Sequence, residues 1–166
     1  MKDLVMRHEK VAFMQLNNVL DGKFSRIKGL TEFAKSKEIQ ELTIKYVDEK
    51  SERNMTTSMS ENIAYNFHYW TENDVQKELI SIADDEVIGS GAIRTIVTVD
   101  FTQEKEINGY PAIKRDYSIV PDAEGAETDV YSYSGTMKSA GEIVKGYASS
   151  EDDFKTITFT ENTGEE

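Results

Sequence analysis

Apolar and polar residues alternate with a period of two over most of this chain, the spacing of strands whose two faces meet different surroundings. Val11 to Leu16 is apolar on both faces, as suits a buried strand. Ile39 to Tyr46 places Leu42, Ile44 and Tyr46 together on one side. In ENIAYNFHYW, Ile63, Tyr65, Phe67 and Tyr69 share one face while Asn62, Ala64, Asn66 and His68 share the other, so one face is expected to be buried and the other mostly polar. Between these two strands DEKSERNMTTSM, Asp48 to Met59, is charged and lacks strong periodicity; it is expected to form a long hairpin loop or mobile extension.

One segment changes to helical spacing. Val75, Leu79, Ile82 and Ala83 recur on one side of a helix predicted from about Glu72 to Asp84, with Thr71 as its cap and Asp74 completing a capping-box-like pair; Gly89 and Gly91 end the connection that follows. Strands then return. Ile93, Thr95, Val97, Val99 and Phe101 alternate against Arg94, Thr98 and Asp100, and Ile113, Arg115, Tyr117 and Ile119 follow a turn at Asn108-Gly109. Past the polar segment Pro121 to Asp129 comes YSYSGTMKSAGEIVKGYAS, Tyr131 to Ser149, expected as a hairpin, and the last strand carries Ile157 and Phe159. The expected class is α+β, mainly β, with one helix covering a sheet or sandwich.

The Gly-Thr-Met-Lys-Ser run in Tyr131 to Ser149 invites comparison with a phosphate-binding loop. Such a loop needs glycine directly before its lysine, where the backbone curls so that N–H groups point at phosphate. Met137 holds that position, and the flanking residues alternate as a strand. Gly135, Gly141 and Gly146 are expected instead to permit a bend, a bulge or a close approach of strands, which makes Lys138 a strand-face charge.

At 166 residues the chain has room for one domain with a real core, 1–166, with flexible ends expected at about 1–8 and 161–166. There are no cysteines, which excludes disulfides and thiolate metal sites. No apolar run is long enough for a signal peptide or membrane anchor, so the expectation is a protein made in the cytoplasm. Its 31 acidic against 19 basic residues give a formal charge of -12, which opposes capture of nucleic acid through counterion release. The acids lie dispersed in turn-rich stretches and read either as a solvated surface that prevents self-association or as a surface that repels another polyanion.

Catalytic chemistry finds little support. The two histidines, His8 and His68, have no second ligand at helical spacing, and His68 reads as a surface or interface residue with a catalytic base as the other reading. Ser90, between Gly89 and Gly91, follows a helix, whereas a nucleophile elbow precedes one. Asp84-Asp85-Glu86 and Glu151-Asp152-Asp153 lack the spaced oxygens of a calcium loop. No catalytic, cofactor-binding or metal residues are assigned, and no cofactor is expected.

The order of elements resembles the tail tube proteins, or major tail proteins, of long-tailed bacteriophages and their prophage relatives. The matching parts are KSKEIQELTIKYVDEK, the loop and strand that follow, the helix TENDVQKELISIADD, GAIRTIVTVDF, the pair AIKRDYSIV and YSYSGTMKSAGEIVKGYAS, and the closing DDFKTITFTE. The resemblance implies a β-sandwich or barrel-type tail tube fold with one flanking helix at about 72–84 and a long charged loop at about 48–59. It implies a virion protein of the tail, assembled in the host bacterial cytoplasm. Copies would form hexameric rings whose sheets join around a lumen; the rings would stack, meet tail tip, tape measure and tail terminator proteins, and conduct DNA without binding it specifically. A non-contractile tail is preferred, and surface decoration is not expected because the chain ends just after its last strand.

By position, Glu49, Lys50, Glu52, Arg53, Asn54 and Met55 would contact the neighbouring ring. Glu41, Thr43, Lys45, Asn62 and Asn66 are the candidates for a wet face towards the lumen. Three other readings stay open: the tube subunit of a related injection or secretion device, a small-ligand-binding β module lined by aromatics, and a carboxylate-based enzyme.

Overall fold

A computed structural model describes residues 4–16 and 23–164. The strands are β1 (Lys10–Met14), β2 (Lys23–Arg26), β3 (Leu30–Ile44), β4 (Arg53–His68), β5 (Ile93–Asp100), β6 (Tyr110–Glu124), β7 (Ser132–Ser139), β8 (Val144–Ser149) and β9 (Thr156–Glu161), with one α-helix, α1 (Asp74–Asp84), between β4 and β5. All pair antiparallel in the order β3-β4-β7-β6-β5-β1-β2-β9-β8, and a further pairing of β6 with β8 closes the last six into a barrel.

Strand β6 makes this possible by its length. One edge pairs with β5 over Ala112–Ser118; the opposite edge pairs first with β8 over Tyr110–Lys114 and then with β7 over Tyr117–Glu124. The chain is therefore a small closed barrel continuous with an open four-stranded sheet. The segment Tyr131 to Ser149 supplies two strands as expected, but they are not a hairpin: β7 and β8 lie one after the other along the same edge of β6.

Two apolar cores follow from the alternation. Val11 and Phe13 of β1 and Val97 and Val99 of β5 point into the barrel with Phe24, Ala112, Ala148 and Ile157. Their sequence neighbours Ala12, Met14 and Ile96 face the other way and meet Ile63, Tyr65, Phe67, Tyr117, Ile119 and Met137 under the helix residues Val75, Leu79 and Ile82. That double burial is why β1 is apolar on both faces.

The helix begins two residues later than its sequence suggests, at Asp74, and its cap is Asn73 in place of Thr71. Asn73 Oδ1 accepts the Gln76 N–H at 3.2 Å, while Nδ2 donates to the Lys28 carbonyl at 2.8 Å. Fully buried Gln76 accepts the Trp70 N–H at 2.7 Å and donates to the Gly29 carbonyl at 3.1 Å. Threonine has no amide to span both partners, so asparagine holds the helix start to the β2–β3 connection.

Glycine is required where strands converge. A Cβ on Gly135 would sit 2.5 Å from Tyr65 Oη and 2.7 Å from the Val120 carbonyl oxygen, and one on Gly146 would sit 2.2 Å from the Thr160 carbonyl oxygen. Gly141 differs, because a Cβ there would meet Asp116 at an ordinary 3.5 Å.

Candidate subunit-contact surfaces

The first surface is an arm. Strands β3 and β4 are 15 and 16 residues long, and their distal halves, Ile39–Ile44 and Arg53–Met59, pair only with each other and are almost wholly exposed. The extension expected at Asp48 to Met59 is thus the end of a two-stranded β-ribbon with a short turn at 45–52; Arg53–Met59 is strand. Solvent on both faces removes the one-sided burial that would write a period of two into its sequence.

The arm carries Ile39, Leu42, Tyr46, Val47, Met55 and Met59 exposed, Val47 completely so at 108%. Glu49, Lys50, Glu52, Arg53, Asn54 and Met55 all lie at its end, where Arg53 pairs with Glu49 and lies 5.7 Å from the Tyr46 ring centroid. A ribbon this long with exposed apolar side chains and unpaired backbone on the outer edge of β3 is a template for association.

The second surface is the open sheet's polar face. Residues directly paired across strands share a face, so Asn62, Ala64, Asn66 and His68 of β4 lie beside Ser36, Ala34 and Glu32 of β3 and beside Lys138, Thr136, Ser134 and Ser132 of β7. Small polar side chains dominate, and the helix packs on the opposite side. His68 contacts Glu127 at 3.0 Å.

The five residues expected on a wet face do not converge. Asn62 and Asn66 share the polar face, but Glu41 and Thr43 alternate with Gln40 onto the other side of β3, where Thr43 donates to Asn54 Oδ1 at 2.8 Å; Lys45 lies beyond the strand in the turn. The cause is the register, which pairs Ser36 with Asn62 and Glu32 with Asn66 and so leaves Glu41 and Thr43 behind them; alternation within each strand does not fix how two strands align.

The third surface is a cleft on the helix side, about 400 Å³, between β3 and the barrel. Ala12, Ile96, Ile113 and Ile143 give it an apolar floor, and Arg7, Lys10, Lys35, Lys37 and Arg115 line it with positive charge. These cations come from three separate stretches, Arg7 with Lys10, Lys35 with Lys37, and Arg115, in a chain of net charge -12, so no local motif marks them.

At the floor lies Glu61, 7% exposed, which accepts the Tyr117 hydroxyl at 2.5 Å, pairs with Lys37 and sits 3.8 Å from Lys35 Nζ. Burial pushes the Glu61 carboxyl up, but the hydrogen bonds from Lys37 and Tyr117 and the charge of Lys35 outweigh it and hold the group below its usual value. Burial, with Glu61 behind it, raises the Tyr117 hydroxyl. Lys35 is lowered, first by burial and then by Lys37, Arg7 and Lys10, against the pull of Glu61. A carboxylate fixed in its charged form by two lysines is a structural anion and is poorly placed to donate a proton.

Among the described residues no helix is long and apolar enough to cross a membrane. No protein-family model and no curated protein matches the sequence. Solved structures do match. The SPP1 tail tube aligns with a TM-score of 0.64 at 12% identity over 86% of this chain and 78% of that one. The tail of an empty gene transfer agent particle, computed with C6 symmetry, gives 0.59 at 14% identity over 84% and 97%. The virion of the native gene transfer agent gives 0.58 at 14% over 95% and 99%. This chain has the fold of the tail tube proteins.

Proposed function

We propose that the chain is the structural subunit of a phage tail tube, forming hexameric rings that stack around a lumen through which viral DNA passes into the host. The observation that carries this reading is the fold, matched over most of the chain by tubes. Two features of the surface support it. Among the described residues no strand pairs with the outer edge of β3, where the Phe33 carbonyl accepts from Arg7, and none pairs with β6 on one edge from Ile119 to Glu124 because β5 ends opposite Ser118. Edge-to-edge pairing of β3 with that part of β6 in the next copy would join open sheets into a continuous wall.

In such a wall the polar face of Asn62, Asn66, Ser134 and Thr136 lines the lumen and α1 lies outside it. Apart from Lys138 beside Asn62, its small neutral side chains offer passing phosphates little to hold, and the net charge of -12 repels them. The arm then reaches the neighbouring ring, with Glu49, Lys50, Glu52, Arg53, Asn54 and Met55 at its contact end. Tail tip, tape measure and tail terminator proteins are the partners expected at the ends and inside, and the place of action is the virion tail.

The reading requires no catalysis. Negative-stain electron microscopy of concentrated protein, alone and with tail-tip components, should show rings or tubes; particles that stay monomeric under every assembly condition refute it.

A further inference from the structure

The cleft of Arg7, Lys10, Lys35, Lys37 and Arg115 sits on the flank bounded by the edge strand β3; Arg7 donates to the Phe33 carbonyl at 3.2 Å and Lys35 donates to Thr98 at 2.7 Å across the cleft. The opposite flank carries the reverse charge. At the free end of β6 are Asp122 and Glu124, which with Leu79 and Ala83 line a common pocket, so the C-terminal end of α1 lies beside them. That end bears Asp84, Asp85 and Glu86.

The helix end is poorly made for an isolated subunit. Three carboxylates stand at the negative end of the helix dipole and its last turn has no basic residue, an arrangement that opposes helix stability. Glu86 occupies the left-handed position of a Schellman cap, φ 51°, with Val87 N–H bonded to the Ile82 carbonyl at 3.1 Å and Glu86 N–H to the Ala83 carbonyl at 3.3 Å. Glycine is the usual residue there, since a side chain costs about 1 kcal/mol. Ile88, immediately after, is 87% exposed. The cleft is unbalanced in the opposite sense: Lys10 reaches Asp100 at 3.9 Å, but Arg7, Lys35, Lys37 and Arg115 surround the single buried carboxylate of Glu61, and Ile113 and Ile143 are left 45% and 49% exposed.

We propose that the cationic cleft of one copy receives the acidic helix end of the next, Asp84 to Glu86 with Ile88 as its apolar anchor. This rests on the tube reading and names its lateral contact. A closed ring built from one chain is heterologous, so two different patches of the same subunit must complement each other. These patches lie on the two flanks that carry the free strand edges, and they match in charge and in apolar contact. A docked carboxylate would add a second counter-charge to Glu61, which Lys35 and Lys37 share, and the contact should weaken with added salt.

The test is a charge swap in the full chain. Asp84→Lys with Asp85→Lys reverses the formal sign of the helix end Asp84 to Glu86, and Lys10→Glu with Arg115→Glu leaves the remaining cleft cations, Arg7, Lys35 and Lys37, balanced by as many carboxylates. Each double variant alone should raise the concentration needed for ring assembly at least about 10-fold, while an equimolar mixture, able to alternate around a six-membered ring, should lower it again towards the wild-type value, because each altered helix end then meets a cleft without net positive charge. The helix variant removes carboxylates from the negative dipole end and should melt at or above wild type, so its assembly defect cannot come from unfolding. Assembly of the helix variant at the wild-type concentration overturns the inference, as does a mixture of two folded variants that stays unassembled. Wild type that forms no ring under any condition overturns the tube reading itself and this contact with it; wild type that assembles beside unaffected variants overturns the contact alone.

Discussion

Replacing Glu61 by glutamine separates the cleft's electrostatic role from its shape. The amide keeps the volume and still accepts a neutral hydrogen bond from Tyr117, but Lys35 and Lys37 lose their common anion. The charge-assisted bond at 2.5 Å is worth about 1.5–3 kcal/mol against about 1 kcal/mol for its neutral replacement. The lysine side chains are 36% and 45% exposed, so water screens them and the two pairs together add only about 1 kcal/mol. The sum is a loss of about 1.5–3 kcal/mol near neutral pH, or about 3–12 °C in Tm for a chain of this size.

The pH dependence gives the sharper signature. The folded-state Glu61 carboxyl lies below its ordinary value of 4.5, so its contribution is complete above that value and is lost as the pH falls through the lower folded-state value. Urea titrations of wild type and Glu61→Gln across that range should therefore show two stability curves that converge on acidification. A gap under about 0.5 kcal/mol near neutrality, or one that persists unchanged in acid, would refute the assignment of Glu61 as the cleft's fixed anion.

Three further outcomes are expected. Gly135→Ala should cost about 1–3 kcal/mol in chemical denaturation, because the new methyl meets the Val120 carbonyl as well as the movable Tyr65 hydroxyl; an unchanged midpoint would show that β6 and β7 can separate freely. Asn73→Ala should cost about 1 kcal/mol or more, with Asn73→Asp intermediate because it keeps the cap on Gln76 and loses the donor to Lys28. Deleting Glu49 to Thr57 should leave melting of the body unchanged, reduce the strand signal in circular dichroism only by the arm's share, and abolish stacking of rings; tubes of normal length from that variant would remove the arm from ring contact.

Which parts of this architecture can be read from sequence depends on where burial is one-sided. Ile63, Tyr65 and Phe67 face a core while Asn62 and Asn66 do not, so β4 announces itself there, and the helix does so through Val75, Leu79 and Ile82. Arg53–Met59 belongs to the same strand yet has solvent on both sides, and its residues carry no period. Alternation also marks a strand without naming its partner. β7 and β8 look like a hairpin because they are consecutive, whereas both find β6, whose 15 residues have room for them in succession.

The cleft was hidden for a related reason. Arg7, Lys10, Lys35, Lys37 and Arg115 become neighbours only when β3 folds back over β1 and β5, so the chain's acidic total concealed a local excess of the opposite sign. A polar face such as Asn62, Ser134 and Thr136 conveys still less, since small neutral residues serve solvent, lumen and turn alike.

Strand β6, paired with the barrel along its first half and with the open sheet along its second, has a mechanical consequence. Two bodies that share one uninterrupted strand have no hinge between them; bending one against the other requires breaking ladder hydrogen bonds, and no linker exists to absorb the motion. A wall built from such units would respond to curvature as an elastic sheet does, spreading strain over many backbone bonds in parallel, with its compliance concentrated at the seams where one copy ends and the next begins.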